Sequence, residues 1–118
     1  MIELDASVKI LICSEPVDMR KSIDGLVMMV VEQLGCDPQS KTLFLFFNKA
    51  KDKFKSILWD GDGFMLLYKR REKGRFKFPK NIESSTYEID ADLFKWLRKG
   101  FDFYGLKSAP ELKISNYY

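Results

Sequence analysis

The stretch 41–80, KTLFLFFNKAKDKFKSILWDGDGFMLLYKRREKGRFKFPK, constrains the fold more than any other part of the chain. Its apolar runs are divided by turn residues in the manner of a hairpin ladder. Between the second and third run stands Asp60-Gly61-Asp62-Gly63. Glycine reaches positive φ without steric cost and aspartate bonds nearby amides, so this stretch predicts a hairpin loop between strands at 54–59 and 64–70. The run Thr42 to Phe47, TLFLFF, is apolar on both faces, as a central strand should be. In the next strand Phe54, Ser56 and Leu58 share one face, and Lys55, Ile57 and Trp59 the other. Leu66 is expected in the core of a central strand, where an aspartate would unfold the domain. Residues 75–78, in which basic and aromatic side chains alternate ahead of Pro79, are expected to add another strand.

The flanking segments supply the helices. Val8 to Cys13, β-branched and closed by Ser14, Glu15 and Pro16, reads as a buried strand. Asp18 then stands as an N-cap, and Met19, Ile23, Leu26, Val27, Val30 and Leu34 fall on one helical face that Gly35 ends. Inside that helix Gly25 costs about 1 kcal/mol relative to alanine, which points to close packing on the sheet. Arg20 and Lys21 in its first turn oppose the helix dipole, a local conflict of the kind functional sites tolerate. Asp37-Pro38 turns the chain. Further on, Thr86 to Ile89 forms a short strand and Asp90 caps a second helix, with Leu93, Phe94, Trp96 and Leu97 on its apolar side and Gly100 as its stop. The tail at 101–118 has aromatic residues but no period, and is expected to pack loosely on the core or to meet a partner.

These elements predict an α+β fold: a mainly antiparallel sheet of about five strands, one longer helix across a face and a short C-terminal helix. A chain of 118 residues has the usual size of one domain, so residues 1–118 are expected to form a single domain with one real core. The cysteines, Cys13 and Cys36, are far apart in a chain without histidine, which indicates neither a zinc site nor a disulfide framework. No run approaches the roughly 18 to 20 apolar residues of a membrane span, and MIELDAS is acidic where a signal peptide is basic. A cytoplasmic protein with no membrane association is expected.

Charge is unevenly spread. The window 41–80 carries 12 Lys/Arg against 4 Asp/Glu, a net of +8; the remainder carries 8 against 13, a net of −5, so the total of +3 conceals a dipolar molecule. Lys69, Arg70, Arg71, Lys73, Arg75 and Lys77 form the candidate nucleic-acid-binding set, with Arg20 and Lys21 added from the helix start. Cations of this density attract phosphate backbones and acidic protein surfaces alike, and exposed rings at Tyr68, Phe76 or Phe78 would stack bases. Charge at a sheet edge also blocks strand addition, and aromatic strand residues are chiefly buried, so the rings are assigned to the core.

Catalysis is disfavoured. Without histidine the usual general base is absent, and no glycine-rich phosphate loop is present. Asp60 and Asp62, joined by Asp52, form a candidate magnesium site for a nuclease. Asp-Gly pairs are ordinary hairpin signals, however, and the plain turn is the preferred reading. No cofactor or metal is expected.

Three segments together, VDMRKSIDGL, LFLFFNKAKDKFKSILWDGDGFMLLYKRREKGRFKFP and IDADLFKWLRKGFDF, resemble the TnpB-type accessory protein (Orf-two-like) of bacterial insertion sequences of the sixty-six family. Ser22 stands where that family commonly has glycine, and Phe78 where it commonly has tryptophan. The resemblance implies a small non-catalytic protein encoded beside a transposase and supporting DNA transposition. Its expected partners are the transposase and the DNA of the element ends. The alternative is a protein-interaction module that docks on the transposase without touching DNA.

Overall fold

The computed structural model describes residues 6–78 and 84–98, with side chains as far as Lys95. Five strands, β1 (Lys9–Cys13), β2 (Thr42–Phe47), β3 (Lys53–Trp59), β4 (Phe64–Arg70) and β5 (Thr86–Ile89), form one sheet in the order β4-β3-β2-β1-β5. Two helices accompany it, α1 (Ile23–Glu32) and α2 (Ala91–Arg98). Only β1 and β2 pair in parallel, Ile10 opposite Leu43, because α1 carries the chain from one end of the sheet back to the other. The other three pairings are antiparallel, and the class is α+β as expected.

The sheet is covered on both faces, and β2 lies between the two cores. Leu43, Leu45 and Phe47 point to one side with Ile10, Ile12, Phe54, Phe76, Phe78, Ile89 and Phe94. Phe44 and Phe46 point to the other with Ile57 and the α1 residues Leu26, Met29 and Val30. All six residues of β2 are therefore buried. The far core is aromatic: Phe47 stacks on Phe78 at 4.2 Å between centroids, and Phe54 meets Phe76 and Phe94 edge-on at 5.1 and 6.3 Å.

Four local expectations are corrected. Helix α1 begins at Ile23, not after Asp18, and its N-cap is Ser22, whose Oγ accepts from Gly25 N. Glycine is a tolerable N-cap, worth only a few tenths of a kcal/mol less than serine, so either residue suits position 22. Arg20 and Lys21 thus precede the helix, and their conflict with its dipole disappears. Gly25 is not wedged against the sheet: a Cβ there would meet the Lys21 side chain at 3.5 Å, an ordinary contact. Residues 75–78 make a single bridge at Lys77 and no strand; they cross the end of the sheet and drop Phe76 and Phe78 into the far core. Finally, β4 is an edge strand, and Leu66 is 40% exposed where a core position was expected.

The hairpin and the second cap stand as read. Gly61 sits at φ 86° and Asp60 N donates to Gly63 O at 2.8 Å, so the chain reverses over two central residues, glycine first. Asp90 Oδ1 accepts from Leu93 N at 2.8 Å and caps α2. Trp96 and Leu97 belong to α2 by backbone, while Gly100 and the tail lie outside the described residues.

Candidate basic interface at one end of the sheet

Strand direction decides where the loops collect. The ends of β1 and β2, the start of β3, the end of β4 and the start of β5 all lie at one end of the sheet. Among the described residues, these strand ends and the segments leaving them carry Arg20, Lys21, Lys49, Lys51, Lys53, Arg70, Arg71, Lys73, Arg75 and Lys77, ten cations, against Glu15, Asp18, Asp52 and Glu72, four acids. Counted the same way among the described residues, the opposite end carries Lys9 and Lys41 against Asp37, Asp60, Asp62 and Asp90. The charge asymmetry of the sequence becomes an asymmetry between the two ends of the fold.

Backbone hydrogen bonds lock these loops together. Val17 N donates to Phe47 O at 2.8 Å, which ties the segment before α1 to the end of β2. Arg71 N donates to Asp52 O and Phe76 N to Lys51 O, each at 2.7 Å, so the exit of β4 folds over the β2–β3 loop. That loop is braced by Asn48, whose Oδ1 accepts from Asp52 N and Lys53 N while its Nδ2 donates to Asp52 Oδ1 at 2.6 Å. The Asn48 bond is the main cause of the lowered Asp52 pKa. Lys51 is held at φ 62°, a left-handed conformation that non-glycine residues rarely take. Between the 16–20 and 48–53 segments runs an open groove of about 700 Å³, floored by Val17 and Met19 and edged by Arg20, Lys49 and Lys53.

Seven of the eight expected binding residues fall into three groups, and Lys21 stands apart. Lys73, Arg75 and Lys77 are exposed and lie beside the buried Phe76 and Phe78, so the alternation read in the sequence survives as an alternation of exposure. Arg20 and Arg70 are exposed but paired. Arg20 forks onto Asp18 at 2.7 Å, and these hydrogen bonds, from its side chain and its backbone, hold the Asp18 carboxyl down at about 2. Arg70 bonds Glu72 at 2.9 Å, which raises the Arg70 pKa further. Lys69 and Arg71 are half-buried on the face away from α1: Arg71 lies 5.8 Å from the centre of the Phe76 ring and donates to Lys73 O. Lys21 is exposed, and its carbonyl accepts from Lys55 Nζ at 3.0 Å.

Lys49, Lys51 and Lys53 were missed in the sequence, where NKAKDK reads as a polar connection. The available signal was its three lysines within five residues, next to a strand end. Of the candidate rings, Phe76 and Phe78 are buried and only Tyr68 is exposed, at 47%. The proposed carboxylate trio is separated: Asp52 precedes β3 and Asp60 follows it, so the strand holds them about 26 Å apart at roughly 3.3 Å per residue. Asp52 cannot share an ion with Asp60 and Asp62.

No helix among the described residues is long and apolar enough to cross a membrane. No solved structure matches the chain. Two proteins of Sinorhizobium fredii (strain NBRC 101917 / NGR234) are similar to it, both described only as uncharacterized. Protein y4jC is 33% identical over 110 residues, 93% of each chain. Protein y4hO is 30% identical over 103 residues, 87% of this chain and 89% of its own. The family model described as IS66 Orf2 like protein matches residues 8–108, which include every described strand and both helices, and the chain therefore belongs to this family of insertion-sequence accessory proteins.

Proposed function

We propose that the protein is a non-catalytic accessory factor in the transposition of an insertion sequence, and that the basic end of its sheet contacts DNA, alone or in complex with the transposase. The observation that carries this reading is the collection of ten cations from three segments at one end of the fold. Their backbone is fixed by hydrogen bonds, so less ordering entropy opposes binding than on a flexible tail. Phosphate contacts from such a surface give affinity and orientation without sequence readout. The burial of Phe76 and Phe78 removes most of the base-stacking capacity, which favours contact with the backbone of duplex DNA over capture of unpaired bases.

Fluorescence anisotropy on labelled element ends across a salt series tests this. Binding should weaken with a log-log slope near −0.9 per phosphate neutralised. Arg75→Ala with Lys77→Ala should flatten the slope by about two units. Arg70→Ala should act less, since Glu72 already holds that guanidinium. An absence of binding at low salt, with salt-sensitive capture of the transposase weakened by the same substitutions, would replace DNA contact by docking on the transposase.

A further inference from the structure

Strand β4 closes one side of the sheet with an unusual sequence for an edge. Met65, Leu66 and Tyr68 are 36, 40 and 47% exposed, and among the described residues no strand pairs with its outer side. Its backbone orientation follows from two hydrogen bonds at its ends. Asp60 N bonds Gly63 O, and Arg71 N bonds Asp52 O. Both lie in the β3–β4 register that places Phe64 opposite Trp59 and Arg70 opposite Lys53. In an antiparallel pair hydrogen-bonded positions alternate, so Gly63, Met65, Leu67, Lys69 and Arg71 direct their amides and carbonyls toward β3. Phe64, Leu66, Tyr68 and Arg70 direct theirs outward. Those four residues also place their side chains on the α1 face, where Ile57 faces Leu66 across β3 and β4.

We propose that this edge pairs with the same edge of a second copy, antiparallel, in the register that sets Leu66 opposite the partner's Leu66. Backbone pairing allows only registers that match outward-facing residues with outward-facing residues. Of these, the one centred on Leu66 also matches the side chains. It sets Phe64 opposite the partner's Tyr68, an aromatic cross-strand pair, and brings Asp62, in the turn just before β4, level with the partner's Arg70, an opposite-charge pair, each made twice by the two-fold symmetry. Moving the centre to Leu67 would set Phe64 opposite the partner's Arg70 and lose both of these pairs. In the favoured register Asp60 and Glu72 lie beyond the paired strands. The product is a ten-stranded sheet with both α1 helices on one face. Because the paired strands are antiparallel, the two basic ends point in opposite directions and both stay open.

A strand pair with one row of side chains is a small interface, so association on the order of micromolar is expected, and sedimentation velocity over a wide concentration range is the measurement. The full chain should move from 13.8 kDa toward twice that mass as concentration rises. Asp62→Arg and Arg70→Asp should each shift the midpoint at least tenfold to higher concentration, while the two together should restore it. Leu66→Cys should form an intermolecular disulfide under mild oxidation, since paired residues stand about 5.5 Å apart between Cα atoms. Met65→Cys, which lies on the other face and not on the axis, should not, and neither should the unaltered chain, whose Cys13 and Cys36 are buried and half-buried. Circular dichroism confirms that each variant is folded. These readouts involve no DNA, so they stand or fall apart from the basic-end reading. A chain that stays at 13.8 kDa throughout, or a swap that fails to restore association, overturns the proposal. Protection of the Leu66→Cys thiol by the transposase in a monomeric chain overturns it in favour of strand addition by that protein.

Discussion

Strands β2 and β4 look alike in sequence, TLFLFF beside FMLLYKR, and occupy opposite environments. Every residue of β2 is buried, whereas β4 leaves Met65, Leu66 and Tyr68 exposed by a third or more. The difference comes from neighbours. β2 has β1 and β3 on its edges, α1 over one face and Phe76, Phe78 and Phe94 over the other. β4 has one neighbour, and the buried core under the helix takes its strand residues from β1, β2 and β3 and none from β4. An apolar run therefore says that a surface favours cover, and the topology says whether the chain itself supplies it. Strand β3 stands between the two, with Phe54, Ser56 and Ile57 buried and its other residues partly open.

Substitution along the series β2, β3, β4 should follow that gradient. Leu45→Asp places a carboxylate at a position with 0% exposure, between Ile12 and Ser56. Burying an unpaired charge costs several kcal/mol, a large part of the stability of a domain this size. Loss of the cooperative thermal transition is expected; a melting temperature within a few degrees of the original would show that β2 is not the centre. Phe54→Ala, one strand outward, removes the ring that meets both Phe76 and Phe94. A loss of about 3–5 kcal/mol in urea denaturation is expected. A loss under about 1 kcal/mol would mean that the aromatic face does not depend on β3.

The sequence was most legible where one residue type has few alternatives. The DGDG loop could hardly be other than a turn, and it fixed the limits of β4; unbroken apolarity identified β2. Legibility failed where two geometries share one pattern. Alternating burial at 75–78 is produced by a strand, and equally by a crossing segment anchored by Phe76 and Phe78. Met19 fits the helical face of α1 by spacing, yet it packs on that core from the loop before Ser22. Asp18 has the chemistry of an N-cap and spends it on Arg20 N and the Arg20 guanidinium instead. The basic residues of 69–77 were legible as a group, but their meeting with Lys49, Lys51 and Lys53 depended on strand direction. The parallel β1–β2 pair that brings the 16–22 segment to the same end was implied by the strand-helix-strand order, though the antiparallel hairpin dominated the reading.

A smaller effect should mark the boundary within β3. Ser56 is fully buried on the aromatic face between Leu45 and Leu67, and its Oγ has no hydrogen-bond partner among the described residues. A buried hydroxyl without a partner is destabilising by about 1 kcal/mol or more. Ser56→Ala should therefore stabilise the domain by about 1 kcal/mol in urea denaturation. Destabilisation of that size would show that the hydroxyl has a partner, and that the β3 face is less dry than its burial implies.

The smallest effect should come from Leu66→Asp, the substitution that a central β4 would make the most damaging. Leu66 lies on the α1 face of the edge strand at 40% exposure, so an aspartate there can turn its carboxylate to water and keep its hydration. What it loses is partial burial against Ile57 and strand propensity, and such propensities span only about 1 kcal/mol. Measured by urea denaturation at dilution, where strand pairing between copies is dissociated, the change should stay under about 1 kcal/mol. At high concentration the same variant should fail to reach the dimer mass, because the two-fold would set one carboxylate opposite another. Unfolding at dilution would return β4 to the interior and erase its contrast with β2. A stable variant that still dimerises would keep the contrast and move the pairing register away from Leu66.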